Sequence, residues 1–213
     1  MNNTSRTSER IVWIDCEMTG LDLTKDALVE VACIVTEADL TELDDGFQVV
    51  ICPADLSVLA EMIEVVHKMH TDSGLLTEIP SGISLQAAQE QLLAYIKQHI
   101  PEPRKSPLAG SSVYVDRGFL IRDMPEVDAH LHYRLLDVSS VKEIARRWYP
   151  RVYFGTPAKV GNHRALSDIK ESIEELRFYR ELIFQPDPGP SSQRVKEVAD
   201  EINTRRSPDQ SLG

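Results

Sequence analysis

Two carboxylates, Asp15 and Glu17, interrupt an otherwise apolar run, Ile11-Val12-Trp13-Ile14-Asp15-Cys16-Glu17. Its β-branched and aromatic residues favour a strand. Period-two geometry then puts both acids on the same face, about 6–7 Å apart along the backbone. Charges set this deep in an apolar run need partners, unless the strand end emerges into water. The pair by itself leaves both readings open, so the rest of the chain has to decide between them.

Two further apolar runs follow, at 28–35 and 47–52. Short connections carrying Gly20, Asp22, Asp44, Asp45 and Gly46 suit an antiparallel meander. Residues 60–70 read as one or two short helices. Ser84 opens an amphipathic helix with Leu85, Ala88, Leu92, Tyr95 and Ile96 on one stripe, stopped by Pro101 and Pro103. Two strand-then-helix units come next. The apolar run at 108–113 precedes a helix at 116–124, and the run at 135–138 precedes one that ends at Trp148. Ser140-Val141-Lys142-Glu143 fits a capping box for the latter. A loop at 151–162 leads into the longest helix, about 164–184, with Ile169, Ile173, Leu176 and Tyr179 on its buried side. Three early strands followed by strand–helix alternation predict an α/β fold, a mixed sheet covered by helices. The expected division is a flexible N-terminus at 1–9, one domain at 10–184, and a turn-rich, mostly disordered tail at 185–213 in which 195–202 forms at most a transient helix.

The 34 acidic and 23 basic residues leave a net charge of −11. That excludes a protein coating long duplexes by phosphate neutralisation. It leaves room for a very short nucleic acid, and for a carboxylate-rich metal site whose ions are not counted in the total. Cys16, Cys33 and Cys52 are an odd number without metal-like spacing, read as buried free thiols in a reducing compartment. The start lacks an apolar signal core, and no apolar run approaches the roughly 18 residues of a membrane span. A cytoplasmic protein, with no membrane partner, is the expectation.

Two more acids bear on the first pair. Asp116 opens a helix just after an apolar strand, where ligands collect in α/β sheets; helix capping is the alternative. Asp168 lies in the last long helix, with His163 five residues earlier. Five helical residues turn through about 500°, so His163 belongs on the loop entering the helix, free to swing toward a substrate or simply to lie at the surface. Four carboxylates meeting at one site repel by several kcal/mol per close pair at an effective dielectric near 20. Protons or hard divalent cations must compensate, and Mg²⁺ or Mn²⁺ suits oxygen ligands. Two such ions can clamp both oxygens of an in-line phosphoryl displacement. His163 is suited to deprotonating the attacking water near neutral pH.

Asp15-Cys16-Glu17-Met18-Thr19-Gly20-Leu21 resembles the first motif of the DEDDh 3′→5′ exonucleases. Tyr114-Val115-Asp116-Arg117 resembles the second, and His163-Arg164-Ala165-Leu166-Ser167-Asp168 the third. With His70-Thr71-Asp72-Ser73-Gly74-Leu75, His132-Tyr133-Arg134 and Asp137-Val138-Ser139, the chain is similar to the oligoribonuclease family over about residues 10–184. The resemblance implies an RNase H-like exonuclease fold with a mixed five-stranded sheet flanked by helices. It also implies two Mg²⁺ or Mn²⁺ ions per site and release of 5′-mononucleotides from RNAs of two to five nucleotides, dinucleotides especially. In that family pattern Asp15, Glu17, Asp116 and Asp168 hold metal and His163 is the general base. Leu21 wedges against a base, and His70 and Ser112 help hold the substrate. Tyr133, Arg134, Ser139 and Lys142 act across subunits of a homodimer, capping the 5′ phosphate.

Without the resemblance, Arg134 and Lys142 read as surface charge and Leu21 as a turn residue packed on the core. A DEDDh exonuclease acting on longer DNA or RNA ends is the alternative, against which the acidic total speaks. Two positions depart from the family. Ser111 stands in Gly110-Ser111-Ser112 where Gly-Asn-Ser is usual, which removes an amide contact. Val65 stands where many relatives carry an aromatic that stacks on the second base, a loss of roughly 1–3 kcal/mol if nothing replaces it. Trp148, Tyr149, Tyr153 and Phe154 form an aromatic group that is either an interface or core.

Overall fold

A computed structural model describes residues 9–158, 161, 163–186 and 188–206. The flexible start expected at 1–9 lies, Glu9 excepted, outside the described residues, as does the tail's end at 207–213. Strands β1 (Ile11–Met18), β2 (Leu28–Thr36) and β3 (Phe47–Val50) form the antiparallel meander, with Asp15 opposite Ala32 and Glu17 opposite Glu30. Strands β4 (Pro107–Gly110) and β5 (His132–Asp137) add in parallel on the far side of β1. The order β3-β2-β1-β4-β5 makes a mixed five-stranded sheet, as expected.

The helices are α1 (Glu64–Asp72), α2 (Leu75–Glu78), α3 (Leu85–His99), α4 (Tyr114–Asp123), α5 (Pro125–His130), α6 (Val138–Trp148), α7 (Pro150–Phe154), α8 (Ala165–Ile183) and α9 (Ser192–Arg206). They cover both faces of the sheet. Val12, Ile14, Cys16 and Met18 of β1 pack with Ala88, Leu92 and Ile96 of α3 and Phe119 of α4. Ile11 and Trp13 pack the other way, with Ile169, Ile173, Leu176 and Tyr179 of α8. Full burial of each such side chain contributes roughly 1.5–3 kcal/mol, so the alternation fixes the register of β1. Asp15 and Glu17 are in phase with Ile11 and Trp13 and therefore face α8.

Three local expectations need correction. Helix α6 starts at Val138, and the Asp137 side chain caps it by accepting from the Ser139 N–H at 2.9 Å. Ser140 is already inside the helix, because β5 hands directly to α6 with no loop between. Within the expected loop at 151–162, Pro150 at the first helical position starts α7. In the tail, Ser192–Arg206 forms α9 with none of its residues buried. Local pairs hold it: Lys196 with Asp200 at 2.5 Å and Gln193 with Glu197 at 3.0 Å. Cys16, Cys33 and Cys52 are free thiols, the first two buried. Among the described residues no helix is long and apolar enough to cross a membrane.

Candidate active site

Three carboxylates converge where β1 meets the first turn of α8. Asp15, Glu17 and Asp168 each offer an oxygen, and these oxygens lie within 4.8 Å of one another. The strand supplies two by its alternation. The helix supplies the third because Ala165 and Ser172, one turn to either side of Asp168, are buried against the sheet. Asp116 arrives from α4, on the opposite side of the sheet. It is buried, and its Oδ1 accepts from the main-chain N–H of Cys16 at 2.9 Å, the residue between the two strand acids. It lies inside the first turn of α4, whose N-cap is Val113, so capping does not explain it.

Burial pushes the Glu17 carboxyl up to about 8, with the charges of Asp168, Glu30 and Asp116 adding to the rise and Arg164 opposing it. Asp116 is pushed up to about 7, chiefly by burial, against the pull of its bond from Cys16. Such acids keep protons at neutral pH unless a cation replaces them. A cluster made only of carboxylate oxygens fits a hard divalent ion.

His70 lies behind this cluster. Its ring is completely enclosed, with Nε2 2.9 Å from the Met18 carbonyl oxygen and Nδ1 3.9 Å from Glu17 Oε2. Burial lowers its pKa from the ordinary histidine value, so here it backs Glu17 and the end of β1. His163 is exposed at the entrance to α8 with φ of 49°. Ser112, also exposed, has φ of 55°. Left-handed backbone at residues other than glycine carries a cost and concentrates at functional sites.

The other candidates fall into two groups. Around the start of α6, Asp137 Oδ1 accepts from Ser112 N at 3.0 Å and Ser139 N at 2.9 Å, while the two serine hydroxyls lie 3.1 Å apart. On the edge strand β5, Tyr133 and Arg134 are exposed, the guanidinium 5.6 Å from the tyrosine ring. Lys142 pairs with buried Glu175 at 3.0 Å, and Glu175 also accepts from the Tyr179 hydroxyl. Leu21 is 71% exposed, which removes the core-packing alternative. Its loop is latched by Asp26, which accepts from Asp22 N at 2.8 Å, and by Arg122, which donates to the carbonyls of Leu23 and Asp26. Val65 is exposed on α1, and Ser111 Oγ lies 3.0 Å from Ser172 Oγ of α8. Trp148 and Phe154 are 70% and 82% exposed, so these two aromatics are not core.

Two residues take roles that the sequence does not assign them. Asp137 organises both serines, and its one signal is an acid at a strand end just before a helix. Glu30 is completely buried on β2, signalled by a charge inside the apolar run at 28–35.

The RNase_T exonuclease family model matches residues 12–176. An oligoribonuclease from Streptomyces griseus is 58% identical over 94% of this chain and 100% of its own length. One from Mycobacterium leprae is 54% identical, over 92% of this chain and 91% of its own. Among solved structures, a zinc-bound Escherichia coli exonuclease I–single-stranded DNA complex superposes with a TM-score of 0.61 at 14% identity. It matches 93% of this chain and 43% of that one. Exonuclease I from Methylocaldum szegediense gives 0.57 at 19% identity, with 82% and 41% covered. This chain spans less than half the length of those two structures, and the likeness shows a shared exonuclease fold.

Proposed function

The chain belongs to the oligoribonuclease family of exonucleases, and from that premise we propose a 3′→5′ exoribonuclease that degrades RNAs of two to five nucleotides, dinucleotides above all, to 5′-mononucleotides. The observation that carries the reading is the meeting of Asp15, Glu17 and Asp168 within 4.8 Å, with Asp116 bonded into the same strand. Two Mg²⁺ or Mn²⁺ ions held by these four acids would polarise the scissile phosphate and lower the pKa of the attacking water.

The chain's own groups do the rest. His163, exposed at the head of α8, takes the proton of the attacking water. His70 acts through Glu17, keeping that carboxylate aimed at the site. Leu21, held out by its latched loop, meets a base. Ser112 and Ser139 present hydroxyls 3.1 Å apart at the N-terminus of α6, the end of the helix dipole that favours phosphate. Arg134 offers a two-pronged phosphate contact.

Tyr133, Arg134, Ser139 and Lys142 serve the site of a second copy in a homodimer. The exposed side chains of Tyr133, Trp148 and Phe154 support that arrangement. Closing the 5′ end this way favours two nucleotides, since a longer RNA cannot set its 5′ phosphate under the cap. The net charge of −11 agrees with a short substrate rather than a long one, and the free thiols agree with the cytoplasm.

Time courses on end-labelled dinucleotide and 20-mer RNA, with Mn²⁺ and with EDTA, test the proposal. The dinucleotide is expected to disappear faster, and only with metal. A faster 20-mer would overturn the short-substrate reading in favour of an exonuclease of longer ends.

A further inference from the structure

We propose that buried Glu30 and half-buried Arg164 form a clamp that positions Asp168 and His163 for the reaction, an inference that rests on the exoribonuclease reading above. Glu30 is 0% exposed in a strand buried from end to end, yet it carries a charge. Its Oε1 accepts from Arg164 Nε at 3.0 Å, Arg164 Nη2 at 2.7 Å and Gln48 Nε2 at 2.6 Å. Its Oε2 accepts from the main-chain N–H of Ala165 at 2.9 Å.

The last contact bears on function. Ala165 is the first residue of α8, and its N-cap, Arg164, supplies no side-chain capping bond. Glu30 therefore satisfies a free donor at the helix start from another element, and its charge suits the positive end of the helix dipole. Asp168 lies one turn further, its N–H donating to the Arg164 carbonyl at 3.1 Å. His163 is the residue before Arg164. On the other side, Glu30 is paired directly with Glu17 in the sheet register. One carboxylate thus ties the helix that carries Asp168 to the strand segment that carries Glu17.

Arg164 extends the clamp. Its Nη1 and Nη2 reach Glu78 of α2 at 3.1 and 2.9 Å, so the guanidinium bridges β2 and α2 while anchoring the head of α8. A buried ion pair is weak evidence for stability, because apolar residues of similar volume often serve packing as well. What apolar residues cannot supply is a fixed direction for the first turn of α8. A misplacement of about 1 Å in a reacting group can cost about 100-fold in rate.

The test is Glu30→Gln, which keeps the shape and loses the charge. We expect kcat on a dinucleotide to fall about 10–100-fold with KM nearly unchanged. Calorimetric titration of the protein with Mn²⁺, without substrate, is expected to show several-fold weaker binding. Arg164→Lys keeps the charge without the fork and is expected to reproduce both effects; it also serves as the reading if Glu30→Gln does not fold. Wild-type kcat and Mn²⁺ affinity in a folded variant would overturn the clamp. So would a rate loss that disappears on cooling, in step with recovered folding, since that marks a stability role only. A wild-type protein inactive on dinucleotides would instead sink the exoribonuclease reading, and the Mn²⁺ titrations would still judge the clamp.

Discussion

The main-chain N–H of Cys16 donates to Asp116 Oδ1 at 2.9 Å across one hundred positions of sequence. A carboxylate from α4 is thereby pinned at the level of the two acids of β1, and the bond needs only an acceptor oxygen. Asp116→Asn is expected to keep it and to fold. With the buried charge gone, the metal-free variant should melt no lower than wild type at pH 8. Turnover should drop at least about 100-fold, and the rise in Tm on adding Mn²⁺ should shrink. Melting curves with and without Mn²⁺, beside a dinucleotide assay, check all three.

Stability should depend on pH in an unusual direction. Glu17 titrates near 8 in the metal-free fold against 4.5 ordinarily, and Asp116 near 7 against 3.8. Across that window the folded chain keeps protons that the unfolded chain has released, so each group's contribution declines as pH rises toward its folded value. In EDTA, Tm should fall from pH 5 to pH 8.5. With saturating Mn²⁺ the acids are neutralised without protons, and the fall should flatten or reverse. Equal slopes in the two buffers would refute the assignment.

His163 is exposed and outside the carboxylate cluster, so its loss should separate rate from metal binding. His163→Ala is expected to lower kcat about 100-fold while leaving the Mn²⁺-linked Tm shift intact. Because the residue has φ of 49°, His163→Gly should match alanine in rate yet melt higher.

The exposed aromatic at Trp148 gives a test of assembly. Trp148→Glu is expected to shift the sedimentation mass from two chains toward one. Dinucleotide turnover should fall with it, since capping groups from the second copy are lost. A wild-type protein sedimenting as one chain would remove the cross-subunit roles of Tyr133, Arg134, Ser139 and Lys142.

How much of the fold and the site is legible in the sequence follows the range of the interactions. The common face of Asp15 and Glu17 is set by strand period, and the buried side of α8 by helical period, both local rules. The clamp at Glu30 depends on Arg164, 134 positions away, and the cap at Asp137 on Ser112, 25 positions away. Neither acid betrays its partner in its own neighbourhood. His70 illustrates the same gap: the motif around it is recognisable, but its enclosure behind Glu17 depends on how α1 packs. Helix α9 is legible only as a transient helix at 195–202 for the opposite reason, since it has no buried face and rests on pairs one turn apart.

Because β1 keeps its acids in step with Trp13, a slip of one residue against β2 would drive Asp15 and Glu17 into the apolar layer under α3 and pull the indole out of its packing against α8. Both errors are too costly for a mispaired form to persist. Correct pairing and an assembled catalytic centre are then one event, so refolded material should divide into fully competent molecules and unfolded ones, with nothing structured but inert between them.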